Sequence, residues 1–231
     1  MTDSGKGAQP IRTFIEVGRS RCFAGAVVWP GWCRSGRNER EALTALMAYG
    51  PRYARVVQRL GLELRPPVDV RRFMVHERVG GSVTTDFGAP DSPLVGDADP
   101  MTSKALRNQV WILTSCFRAL EAALIAAEGR SLRLGPRGGG RALPAILEHV
   151  LQANRAYLQR LAWKPQQAGA DPRQWMRVQE AETMDALAAA SEGQLPAAGP
   201  RGGKVWTARF FTRRVAWHLL DHAWEIEDRM T

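Results

Sequence analysis

The sequence predicts an α+β protein, a small N-terminal sheet-and-helix domain followed by an antiparallel four-helix bundle, and three observations predict it. Apolar and β-branched runs at 13–17 and 22–28 flank a Gly-containing turn at 18–20, the pattern of a hairpin. Residues 88–102 are rich in Gly, Pro, Asp and Ser, which marks a change of organisation. Beyond them apolar residues recur at three- and four-residue steps through four long segments, the period of helices with one buried stripe. The domains so read are 1–88, a linker at 89–102, and 103–231.

Taken in order, the hairpin is broken by Trp29-Pro30-Gly31-Trp32. Asn38 then offers a cap for a helix carrying Ala42, Leu43, Leu46 and Met47, which continues through Tyr53, Val56, Val57 and Leu60 with a kink or break at Gly50-Pro51. Residues 72–76 and 82–85 read as further strands on either side of Gly80-Gly81. The first bundle helix spans 103–128, with Leu106, Val110, Leu113, Phe117, Leu120 and Leu124 on one face. The second spans 143–163 with Pro144 in its first turn. The third opens at Asp171-Pro172, a cap followed by proline, and runs to about Ser191. The fourth covers 207–230. Connections of about ten residues make antiparallel packing the economical arrangement.

Composition excludes several classes. The chain has 231 residues, 45% hydrophobic and 24% charged, which is neither a disordered nor a disulfide-scaffold composition. No run approaches the ~18 apolar residues of a membrane span, and residues 1–10 lack the apolar stretch of a secretory signal. Three widely spaced cysteines (Cys22, Cys33, Cys116) point to a reducing compartment, so the expected location is the cytoplasm. The net charge of +9 invites a nucleic-acid reading. Yet the excess is scattered arginine, without a run of five like charges, a zinc-finger spacing or an RNA-binding aromatic strand. A solvated basic surface is the expectation, with an RNA-associated protein the weakest alternative.

Histidine is scarce, four residues in all, and three of the four share one pattern. His218 and His222 stand four apart on the last helix, on one face and one turn apart, among Val215, Leu219 and Ile226. His149 lies on the second bundle helix between Ile146 and Ala153, on the stripe expected to face inward. Buried imidazoles need partners, and three converging ones are satisfied by a divalent cation, leaving a fourth position for water or substrate. Glu148, Asp221 and Glu225 are the acids placed to hydrogen-bond the outer ring nitrogens.

The segments Ala145-Ile146-Leu147-Glu148-His149-Val150-Leu151 and Arg214-Val215-Ala216-Trp217-His218-Leu219-Leu220-Asp221-His222-Ala223-Trp224-Glu225 resemble the DinB/YfiT-like superfamily of metal-binding four-helix bundles. The resemblance covers 103–231. It implies a divalent metal, zinc or nickel, on His149, His218 and His222. It also implies an enzyme that uses a low-molecular-weight thiol as transferase or isomerase, or acts as a hydrolase, on a small-molecule substrate, in a chain able to form a homodimer. At the N-terminal side, residues 27–36 with Pro30-Gly31-Trp32-Cys33, followed by Asn38-Glu39-Arg40-Glu41-Ala42-Leu43, resemble HicB-like antitoxin domains, which implies a small sheet with helices on one face. The competing function is a non-catalytic, metal-stabilised binding module whose N-terminal domain docks a protein partner.

Other features read as structural. Cys33, between tryptophans and a turn, is a candidate reactive thiol but more simply a buried one; Cys116 reads as core. His76 is expected to be structural or exposed. Gly135-Pro136-Arg137-Gly138-Gly139-Gly140-Arg141 lacks the Lys-Ser/Thr of a phosphate loop and reads as a surface loop, with anion cradling as the alternative. Most of the eight tryptophans are expected at helix seams.

Overall fold

The computed structural model describes residues 10–58, 61–134, 140–167, 169–199 and 203–231. The readings of residues 1–9, Leu60 and the loop at 135–139 lie outside the described residues. The chain is α+β: a four-stranded mixed sheet with its helices comes first, and four long helices follow. It divides into two compact units, 1–94 and 95–231.

In the first unit, β1 (Ile11–Val17) pairs antiparallel with β2 (Cys22–Ala26), which is the expected hairpin. A third strand, β3 (Cys33–Gly36), joins β2, and β4 (Phe73–Gly80) lies parallel to β1, giving the order β3-β2-β1-β4. Helix α1 (Glu39–Gln58) packs on β2 and β3 and is continuous through Pro51, so of the expected kink or break the break does not occur. Its buried Tyr53 stacks on Trp32 at 5.7 Å, Trp32 meets Phe73 edge-on, and the Trp32 indole N–H donates to the Leu46 carbonyl at 2.8 Å. Pro30 closes the group by accepting from the Tyr53 hydroxyl. These aromatics bury the largest side chains of the unit, and their polar edges are satisfied.

The expected strand at 82–85 is instead a short helix, α2 (Val83–Phe87). The β-branched Val83, Thr84 and Thr85 favour a strand locally, but Ser82 and Thr85 form a reciprocal capping box and Gly88 ends the turn in the left-handed region, where glycine has no Cβ penalty. Thr85 is also drawn inward by a hydrogen bond to the buried Glu16 carboxylate. Residues 89–102 do more than link. Asp91 and Ser92 donate backbone N–H groups to Glu16, within the first unit. Asp97 is buried and paired with Arg213, within the second.

The second unit consists of α3 (Ser103–Ala126), α4 (Leu143–Arg160), α5 (Pro172–Ser191) and α6 (Ala208–Arg229). Helix α3 packs on α5 and α6, and α4 packs on α5 and α6. Helix α3 is long and apolar enough to cross a membrane by length and composition, but 56% of its most apolar stretch is buried inside the protein. Cys116 sits in that buried face, where burial pushes its thiol well above the usual range. Cys22 and Cys33 are buried as well. Helix α6 is enclosed on most sides, with Phe211, Leu220 and Ile226 fully buried. Its Thr207 cap accepts from the Phe210 N–H, so the helix starts at a defined residue and its register is set.

Candidate metal centre

The register of α6 places His218 and His222 one turn apart, and both are buried. Helix α4 enters from Ala142 with Pro144 in its first turn, and Ile146, Leu147, Val150 and Leu151 anchor it. That packing leaves His149 at the edge of the seam. His149 is half-buried, so it forms the open side of the group rather than part of the buried stripe to which its spacing assigned it.

The three imidazoles converge through their Nε2 atoms. His218 Nε2 lies 3.2 Å from His149 Nε2 and 3.2 Å from His222 Nε2, and the donor atoms of all three residues fall within 4.8 Å of one another. The rings meet edge to face, with centroids 4.6 to 5.1 Å apart. A ring nitrogen carries either one proton or one in-plane lone pair. His218 Nε2 therefore can form a hydrogen bond with one neighbour and not with both. Two metal–nitrogen bonds of about 2.0–2.1 Å at a tetrahedral angle put their nitrogens roughly 3.3 Å apart. The spacing of these nitrogens fits that edge, and the group can hold a metal ion.

Electrostatics favour neutral ligands. Burial pushes the His218 imidazole well below its ordinary range, helped by His222, His149, Arg214 and Arg141. His149 is lowered by burial, by His222 and by Arg141, against an opposing pull from Glu225. Neutral imidazoles offer the lone pairs that a metal needs. Glu225 accepts from His222 Nδ1 at 2.8 Å and is held below the usual carboxylate range chiefly by that bond. With the proton assigned to Nδ1, Nε2 is left as an acceptor facing the other two rings. The other Glu225 oxygen accepts from Arg229 at 2.5 Å, and Arg229 also donates to the carbonyls of Arg133 and Arg141. Gly140 lets this guanidinium lie against the backbone, since a Cβ there would stand 2.6 Å from Arg229 Nη2.

Of the three acids expected around the histidines, Glu225 is seated on the His222 ring, and Asp221 is half-buried on the same helix. Glu148 is exposed and accepts from Gln152. His76, in the first unit, is exposed and hydrogen-bonded with Arg12. Sequence reasoning missed two neighbours. Arg214, one turn before His218, is buried and donates to the Tyr157 hydroxyl at 3.1 Å. Tyr157 in turn meets His218 edge-on at 5.7 Å. Both stand at four-residue steps from the histidines, Arg214 from His218 and Tyr157 two steps from His149, and that spacing was the available signal. The chain matches no protein-family model, no curated protein and no solved structure.

Proposed function

We propose that the helical unit is a four-helix bundle of the DinB-like class and that it acts as a metal-dependent enzyme. His149, His218 and His222 would hold a divalent ion, with zinc or nickel suited to an all-imidazole site. The convergence of three Nε2 atoms, one of them oriented by Glu225, carries this reading. A bound ion supplies Lewis-acid activation of a water or thiol at its open position. The chain's own contribution is to keep His149 and His218 neutral through burial, to fix the His222 tautomer through Glu225, and to leave the His149 side open to a small molecule. A low-molecular-weight thiol is the proposed co-substrate, in a transferase, isomerase or hydrolase reaction, in a cytoplasmic protein able to form a homodimer.

Metal analysis of tag-free protein tests the reading. About one equivalent of divalent metal is expected in the wild type, with loss in His222→Ala. A wild type that takes up no stoichiometric metal, or a variant that keeps it all, overturns the reading. A second reading, a metal-stabilised module that docks a protein, draws on the exposed Val83 and Phe87 one turn apart on α2. Azide titration of the cobalt-loaded protein separates the two. An exchangeable fourth position shifts the visible spectrum, and a closed site does not.

A further inference from the structure

Along α6, His218, His222, Glu225 and Arg229 follow one another at three- and four-residue steps, so they share one side of the helix. Two of them belong to the histidine cluster, and Glu225 is seated on the second. Arg229 ends the line, and its guanidinium is engaged in three directions. Nη1 donates to Glu225 Oε1 at 2.5 Å, Nε to the Arg133 carbonyl at 2.9 Å and Nη2 to the Arg141 carbonyl at 2.9 Å. A planar fork holds three such acceptors at fixed angles, which a lysine ammonium does not. The side chain is 12% exposed, so these bonds are largely shielded from water.

Glu225 needs such an anchor. Its side chain is 30% exposed and long enough to swing out to solvent if one oxygen alone were held. The Arg229 bond pins Oε1, and Oε2 then stays 2.8 Å from His222 Nδ1. The bond from His222 and, after it, that from Arg229 keep the carboxyl below its usual range. An ionised Glu225 leaves the shared proton on Nδ1 and the lone pair on Nε2, where the three rings converge.

The other two bonds of Arg229 reach off the helix. Arg133 and Arg141 both precede α4, which begins at Leu143 and carries His149. Gly140 gives the guanidinium its room: its φ is +139°, and a Cβ there would stand 2.6 Å from Arg229 Nη2. One side chain therefore holds both the carboxylate behind His222 and the entry to the helix that brings His149.

We propose that Arg229 is a positioning residue of the metal centre: through Glu225 it keeps the His222 lone pair on Nε2, and through the Arg133 and Arg141 carbonyls it fixes the start of α4, and with it His149, against the same point of α6. This deepens the metal-site reading and rests on it.

The test compares the full chain, tag-free, as wild type, Arg229→Gln, Arg229→Lys and Arg133→Gln. The last is the control. The Arg133 side chain donates to the Asp228 carbonyl at 2.6 Å, so it ties the same two segments without touching Glu225. In metal-free protein at about pH 8.5, above the ordinary imidazole range, nitrogen-15 NMR of the His222 ring reads the tautomer. Zinc affinity is read by competition with a chromophoric chelator. The wild type is expected to hold the Nδ1–H form. Arg229→Gln is expected to lose that preference and to bind zinc at least ~10-fold more weakly, the scale of a lost outer partner. Arg229→Lys, which keeps the charge but not the fork, falls between, and Arg133→Gln stays with the wild type. A wild-type value of either quantity in Arg229→Gln, or in Arg229→Lys should the glutamine variant fail to fold, overturns the proposal. An equal loss in Arg133→Gln overturns it too, since a plain tether then accounts for the effect. A wild type that takes up no zinc overturns the metal reading beneath, and the metal-free tautomer still decides what Arg229 does.

Discussion

In the first unit Glu16 is wholly buried near the end of β1, and the chain satisfies it unaided. One oxygen accepts from the Thr85 hydroxyl at 2.5 Å and from the Asp91 N–H at 2.8 Å; the other accepts from the Asp91 and Ser92 N–H groups at 3.0 and 3.1 Å. In the second unit His218 is also buried, but its Nε2 lies 3.2 Å from each of two more imidazole nitrogens. Donors of complementary kind around an acceptor make a closed, structural site. Three nitrogens of the same kind pointed at one another form a group that could hold a metal ion. The contrast separates a buried carboxyl group that the chain satisfies from a buried cluster shaped to take a ligand.

Four measurements sharpen or break that contrast. His218→Ala is expected to have the largest effect: the shared corner of the cluster goes, and bound metal falls from about one equivalent to nearly none by elemental analysis. Retention of full metal would sink the contrast. Next comes stabilisation by the metal itself. At a free metal concentration of about 100 times Kd the helical unit gains ~2.7 kcal/mol, reversed by a chelator. Amide hydrogen exchange should slow in α4 and α6 and stay unchanged in β1 and β2. Third, Glu225→Gln removes the carboxylate that orients His222 and should weaken metal binding by about 10- to 100-fold with little change in circular dichroism.

The smallest effect belongs to the closed site. Thr85→Val removes one of several donors to Glu16 and should lower the stability of the first unit by about 1–2 kcal/mol in denaturant melts, with no change in metal content. Burial raises the Glu16 pKa above its ordinary value, and the Thr85 bond pulls it back. Because the folded value is raised, this group's stabilising contribution is full below the unfolded pKa and fades as pH rises through the folded one. In Thr85→Val the titration of Glu16, followed by carboxyl carbon NMR, moves upward and the fading moves with it. A downward move would contradict the assigned role of Thr85.

How far these features can be read in the sequence depends on how local their causes are. The 13–28 hairpin, α1 and the four long helices follow from short-range periodicity and caps such as Asn38 and Asp171, and the structure has them. β3 was missed because Cys33-Arg34-Ser35-Gly36 has no alternation of its own; it is a strand because β2 offers it a partner. α2 was misread because side-chain propensity pointed one way while the capping box and the pull of Glu16 pointed the other. At the histidines, the four-residue step pairs His218 with His222, and the place of His149 on the stripe expected to face inward suggests it as the third. Arg214 and Tyr157 lay on the same steps but do not announce themselves as ligands, and their part becomes visible with the seam.

One small contact ties the end of α6 to the segment before α4. Leu132 and Met230 form an antiparallel bridge, the Arg133 N–H donates to the Arg229 carbonyl, and Thr231 donates to the Ser131 carbonyl. The same Arg229 steers Glu225, and through it His222. Residues 229–231 thus join the segment before α4 to the helix end whose Arg229 holds Glu225 on His222. A purification handle fused there, or a cut made just ahead of Arg229, would disturb the very site that an engineer might think was safely remote.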